Sequence, residues 1–122
     1  MKLEIDLCRQ ILKKIEEEGG ENGLQKFPRI ENVEDNLVFY QIKKMQEAGY
    51  VSYKVYGKGL HDQFEYFKVD ATFYGHEFLR QMMDNTIWSK TKEIIKKKGI
   101  DLTFDTVKLA IPLAIKAIFG AP

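Results

Sequence analysis

A single cysteine, Cys8, excludes an internal disulfide, so the fold does not rest on oxidative cross-linking. Two histidines, His61 and His76, leave too few ligands for a histidine-rich metal site. His76-Glu77 begins like the zinc-hydrolase pattern H-E-x-x-H, but Arg80 stands where the second histidine belongs. Neither G-x-x-x-x-G-K-[ST] nor G-x-G-x-x-G occurs, so phosphate cradling lacks a motif. Glu16-Glu17-Glu18 reads as a solvated helix end, not a catalytic carboxylate pair. No constellation supports an enzyme, and no cofactor is expected. Charge of one sign is also scarce: the formal net charge is +1. That argues against strong nonspecific DNA affinity, which comes from neutralising phosphates. Met1-Lys2-Leu3-Glu4 runs straight into an amphipathic helix, so no leader is read here and a cytoplasmic location is the expectation.

What is present is a chain of 122 residues, 44% hydrophobic, enough for a packed core of one domain with a terminal appendage. Ile5, Cys8, Ile11, Leu12 and Ile15 form one stripe of a helix from about Leu3 to Glu18. On that stripe Cys8 is a packing residue. Gly19 to Gly23 is a loop by composition. Leu24 to Ile30 is short and contains Pro28, which makes it an edge strand or extended linker.

The most informative stretch follows. Val38, Ile42 and Met45 lie at the spacing of one buried helix face, and Asn36, Tyr40, Lys43, Lys44 and Glu47 fall opposite. Asn32 is placed to cap this helix, and Gly49 to end it in a left-handed conformation. Only a truncated helix fits before it, near Glu31 to Asn36. Val51, Tyr53 and Val55 then alternate with Ser52, Lys54 and Tyr56, the period of a half-buried strand. Phe64 to Val69 reads as its partner, with residues 57–63 as the hairpin loop. This order of helix, glycine and hairpin is that of a recognition helix and wing. Lys54, Lys58 and Lys68 place positive charge on the hairpin, to touch phosphates or to block edge-to-edge aggregation.

Further on, Thr72 is placed to cap a helix from Phe73 to about Met83, and Asn85 one from Thr86 to Lys98. The second carries Ile87, Trp88, Thr91, Ile94 and Ile95 on one stripe, so Trp88 reads as core. Gly99 stops it, and Lys96-Lys97-Lys98 complements its dipole. Thr103 caps a last helix from Phe104 to about Phe119. That helix is apolar nearly all round: Val107, Ile111, Ala114 and Ile118 form one side, Leu109, Leu113 and Ala117 another. Lys116 interrupts the run, which falls short of the ~20 apolar residues of a bilayer span. A lysine-rich polar face, expected of an interfacial membrane helix, is also missing. Two apolar faces imply two partners, one of them a second copy of the chain.

Charge is unevenly spread: −3 over residues 1–36, +1 over 37–71 and +3 over 72–122. This permits a basic face without requiring one.

Several motifs carry a family resemblance in combination: Asp6-Leu7-x-x-x-Ile11-Leu12; Tyr40-Gln41-Ile42-x-x-Met45-x-x-Ala48-Gly49; Thr72-x-x-Gly75-His76-Glu77-Phe78-Leu79; Asp84-Asn85-Thr86-Ile87-Trp88-x-Lys90; and Lys98-Gly99-x-x-Leu102-Thr103-Phe104-Asp105-x-Val107-Lys108. Together they resemble the DUF2513 family of short bacterial and prophage proteins, a domain of unknown function, over almost the whole chain. The resemblance implies a winged-helix-like fold and no established activity. The chain departs at Gln41, where relatives often have His, and at Ala71, where they tend to have Leu. A His-dependent function at position 41 is therefore not carried over.

The expected fold is α+β, mainly α. A winged-helix core with a β-hairpin wing spans residues 1–83, and C-terminal oligomerisation helices span 84–122. The leading functional expectation is a DNA-binding regulator of a phage or mobile element, acting as a homodimer on double-stranded DNA. Asn36, Tyr40, Lys43 and Lys44 would meet the major groove, Lys54 and Lys58 the flanking phosphates, and Leu109, Leu113 and Ala117 the second copy. The alternative is a protein-interaction module on the same scaffold, favoured by the near-neutral charge and by Glu47 on the exposed helix face.

Overall fold

The computed structural model describes residues 1–56 and 64–120. The hairpin loop at 57–63, with Lys58 and His61, lies outside the described residues. The element order is α1 (Ile5–Glu18), α2 (Asp35–Glu47), β1 (Val51–Val55), β2 (Phe67–Ala71), α3 (Phe73–Met82), α4 (Asn85–Lys97) and α5 (Phe104–Phe119). The fold is α+β and mainly α. The chain divides into two compact units, Met1–Leu79 and Arg80–Pro122.

In the first unit the α1 stripe is buried as its periodicity requires, and α1 packs against α2 and β2. Val38, Ile42 and Met45 of α2 are each fully buried. β1 and β2 pair antiparallel, with Val51 opposite Ala71 and Val55 opposite Phe67. Leu24 forms an isolated antiparallel bridge with Val69, its N–H and C=O both bonded at 2.8 and 3.0 Å. One residue of the Leu24–Ile30 segment therefore adds to the sheet; the remainder bends at Gln25 and Lys26 and turns at Pro28, where Arg29 N–H reaches Phe27 C=O at 3.0 Å.

Gly49 closes α2 with φ +84°. Its N–H reaches Gln46 C=O, and Tyr50 N–H reaches back to Met45 C=O at 2.8 Å. This pair of bonds is a Schellman closure, which a residue with a Cβ adopts only under strain. Thr72 then ties the next helix to that turn. Its hydroxyl donates to Gly49 C=O at 2.5 Å and accepts Gly75 N–H at 3.1 Å, while its own N–H donates to Tyr50 C=O. Gly75 is required by the same approach, because a Cβ there would lie 1.9 Å from Tyr50 O. Tyr50 and Phe78 stack below, with centroids 4.7 Å apart. The spacing Thr72-x-x-Gly75-x-x-Phe78 is thus one joint between the end of α2 and the start of α3.

In the second unit, α4 and α5 pack on one another. Their buried residues are Trp88, Thr91 and Ile95 on α4, and Val107, Ala110, Ile111 and Ala114 on α5. The Thr91 hydroxyl donates to Ile87 C=O at 2.7 Å, which satisfies it inside the interface. Thr103 caps α5 as expected, in a reciprocal box with Thr106. The helix continues through Pro112.

Local expectations fail in several places. Asn32 does not cap α2: it lies at φ +63° in a turn closed by Val33 N–H to Ile30 C=O, and Glu34 precedes the helix without a side-chain cap. That turn occupies the place of the truncated helix near Glu31 to Asn36. Asn and Asp tolerate the left-handed region, so one turn suffices where a helix was expected. The second strand begins at Phe67, not Phe64; Phe64 is buried by ring packing instead. Asp84, not Asn85, caps α4, accepting Ile87 N–H at 2.9 Å. A cap bonds the N–H three residues on, so the register shifts by one residue. On α5, Ile118 is 37% exposed and Ala110 takes its place on the buried side.

Candidate nucleic-acid interface

The α2 helix and β1 position the candidate residues. Tyr40, Lys43, Lys44, Gln46 and Glu47 of α2, with Tyr53 of β1, line an open depression of about 480 Å³. Asn36 is exposed one turn before Tyr40, at the spacing of the same helix side. The depression has a rigid floor. Phe39 packs edge-on to Tyr53 at 5.4 Å, and Tyr53 stacks parallel to Phe67 at 5.7 Å. Phe39 also meets Phe64, which stacks on Phe27 at 4.2 Å. Each such pair contributes about 0.5–1.5 kcal/mol beyond area burial. The ladder fixes the angle between helix and hairpin.

The two lysines differ. Lys43 Nζ sits 5.0 Å over the Phe39 ring and has no ion-pair partner among the described residues. Lys44 Nζ sits 5.4 Å over Tyr40 and 3.0 Å from Glu47 Oε2. The hydrogen bond to that carboxylate raises Lys44 above the ordinary lysine pKa. Lys44 stays charged, but Glu47 offsets its field. Lys54 is not brought into the depression: it alternates with Tyr53 along β1 and faces the other side of the sheet, opposite Lys68. Lys58 lies outside the described residues.

Behind the depression is a polar residue that periodicity did not assign. Gln41 is fully buried. Its Oε1 accepts Glu4 N–H at 2.7 Å and the Cys8 thiol at 3.6 Å, and its Nε2 donates to Lys2 C=O at 2.9 Å. It ties residues 2–8 to the buried side of α2. Burial pushes the Cys8 thiol up to about 12, so it is an inert core group. The clue in the sequence was Gln41 lying between Val38 and Ile42 on the core stripe.

His76 pairs with α1: its Nδ1 is 3.5 Å from Glu16 Oε2, on an exposed edge. Glu18 bonds Lys26 and Lys14, which hold its carboxyl below the usual range. Among the described residues no three His, Cys, Asp or Glu side chains gather as metal ligands. No described helix is long and apolar enough to cross a membrane.

Residues 2–101 match the family described as hypothetical protein DUF2513. The chain belongs to the DUF2513 family. It is 31% identical over 108 residues to an uncharacterized protein of Haemophilus influenzae, covering 88% of this chain and 90% of that one. No solved structure matches it. Within this DUF2513 chain, the Thr72–Gly75 joint and the Gln41 anchor give physical reasons for two of the motifs that carry the resemblance.

Proposed function

We propose that the first unit is a winged-helix-like DNA-binding module of a cytoplasmic regulator, with α2 as recognition helix and β1–β2 as wing. The observation that carries this reading is the convergence of Tyr40, Lys43 and Lys44 on one open surface against the hairpin. The element order supports it. Asn36 would extend the surface at the helix start, where recognition helices contact base edges. Lys54, on the other side of the sheet, would not reach the phosphates that flank it, and Lys58 lies outside the described residues. Few cations are engaged, so affinity is moderate and depends on more than charge.

The exposed α5 face would join two copies. Leu109 is 74% and Leu113 47% exposed, and Ala117 is exposed beside them. Covering each leucine contributes roughly 1.5–3 kcal/mol. A twofold partner would supply the same face.

A duplex library of random sequence, retained on the protein in gel shifts at low salt, tests the DNA reading. Lys43→Ala should weaken retention more than Lys44→Ala, because Glu47 already offsets Lys44. One observation favours the protein-interaction module instead: the Lys44–Glu47 pair makes the surface mixed in sign. Absence of duplex retention supports that second reading.

A further inference from the structure

The outer face of the hairpin holds a second arrangement, separate from the α2 depression. On it Lys54 stands directly opposite Lys68. Like charges directly opposite each other destabilise a sheet, so this pair is not explained by folding. Neither lysine has an ion-pair partner among the described residues. One step further, Tyr56 N–H donates to Tyr66 C=O at 2.7 Å, which sets the two tyrosines opposite each other. Tyr56 is 50% and Tyr66 55% exposed, and neither ring has a ring partner among the described residues. A depression of about 150 Å³ is lined by Ser52, Tyr53, Lys54, Tyr56, Lys68 and Asp70.

A cation pair within the strands and an aromatic pair just beyond their ends therefore follow one another, about 7 Å apart at two residues of strand rise. We infer that this face binds single-stranded nucleic acid, with bases stacked on Tyr56 and Tyr66 and the backbone phosphates held by Lys54 and Lys68. Both parts of the chemistry are needed. Flat π-faces left in water suit unpaired bases, and two unneutralised ammonium groups suit the phosphates between them. A duplex hides its base faces in its own stack, so the tyrosines discriminate against it. Asp70, at the far end of the face, disfavours phosphate there and directs the strand toward the tyrosines. The inference does not rest on α2 or on the duplex reading.

The test is fluorescence anisotropy of the full chain with a labelled oligothymidine of about 12 nucleotides, within the span of one such site. An abasic oligomer of the same length serves as control. Oligothymidine should bind at low salt, and the abasic strand much more weakly. Tyr56→Ala and Tyr66→Ala should each weaken binding on the order of 5- to 150-fold, the worth of one stacked base. Tyr56→Phe should restore most of it. Lys54→Gln with Lys68→Gln should flatten the salt dependence. Lys43→Ala should leave oligothymidine binding unchanged, which separates this site from the duplex surface. Equal affinity for the abasic strand, no binding at low salt, or indifference to the double variant Tyr56→Ala/Tyr66→Ala overturns the inference. Both rings are half in water, and circular dichroism of the variants confirms that the fold survives their loss.

Discussion

Gly75→Ala puts one methyl group against a backbone that cannot yield locally. The new Cβ would lie 1.9 Å from Tyr50 O and 3.0 Å from Tyr50 C. The carbonyl must retreat by more than about 1 Å to escape repulsion. It is held by Thr72 N–H, next to the Gly49 carbonyl that the Thr72 hydroxyl grips. Retreat therefore breaks one or two hydrogen bonds, at about 1 kcal/mol each. It also disturbs the Tyr50–Phe78 stack, and overpacking itself costs about 1–3 kcal/mol. The helix gains about 1 kcal/mol from replacing glycine by alanine. The net expectation is a loss of about 2–4 kcal/mol, a large share of what holds a small domain together. Urea unfolding followed by circular dichroism measures it. With a slope of about 2 kcal/mol/M, the midpoint should fall by roughly 1–2 M. Gly20→Ala, which meets nothing within 4 Å at an ordinary φ, is the control and should stay within about 0.5 kcal/mol of wild type. A Gly75→Ala midpoint indistinguishable from that control would refute the argument that the α2–α3 joint needs a bare backbone.

Asp84→Ala should cost about 1 kcal/mol through loss of the α4 cap, while Asn85→Ala should cost less; thermal melts that rank them the other way contradict the cap assignment. Cys8 should resist alkylation at pH 8 in native protein and react once urea unfolds it; fast native labelling would contradict its burial. Because folding raises this thiol from 9.0 to about 12, its neutral form is the one that the fold favours. The corresponding stability is whole below pH 9 and is lost as pH climbs toward 12. Denaturation midpoints across that range should fall, and Cys8→Ser should flatten the decline. Leu109→Ser with Leu113→Ser should leave the chain monomeric by light scattering at micromolar concentration; an unchanged oligomer mass would remove α5 from the interface.

The helices and the hairpin were legible because their signals are local. The α1 stripe, the Gly49 stop and the Thr103 cap each follow from spacing within a few residues. The candidate depression was half legible: helical spacing puts Tyr40, Lys43 and Lys44 on one side, but nothing local says that Tyr53 completes it. Phe39 lies off the core stripe, and only the fold shows that it braces the hairpin. Gln41 was hidden because periodicity scores polarity by position, not by partners, and its partners at Lys2 and Glu4 are far away in sequence. The Lys54–Lys68 opposition depends on strand register, which the loop at 57–63 does not specify by composition. Asn32 misled because the residue types that cap helices also occupy left-handed turns.

The central claim is that α2 and the hairpin present a DNA-binding surface. Its most direct measurement is the affinity of the full chain for a random-sequence duplex across a salt series, compared with Lys43→Ala. The expected result is retention at ~50 mM salt, with log K falling as log salt rises. Lys43→Ala should reduce that slope by about 0.9, the effect of one lost phosphate contact. No retention at ~50 mM salt, or a slope unchanged by Lys43→Ala, would contradict it.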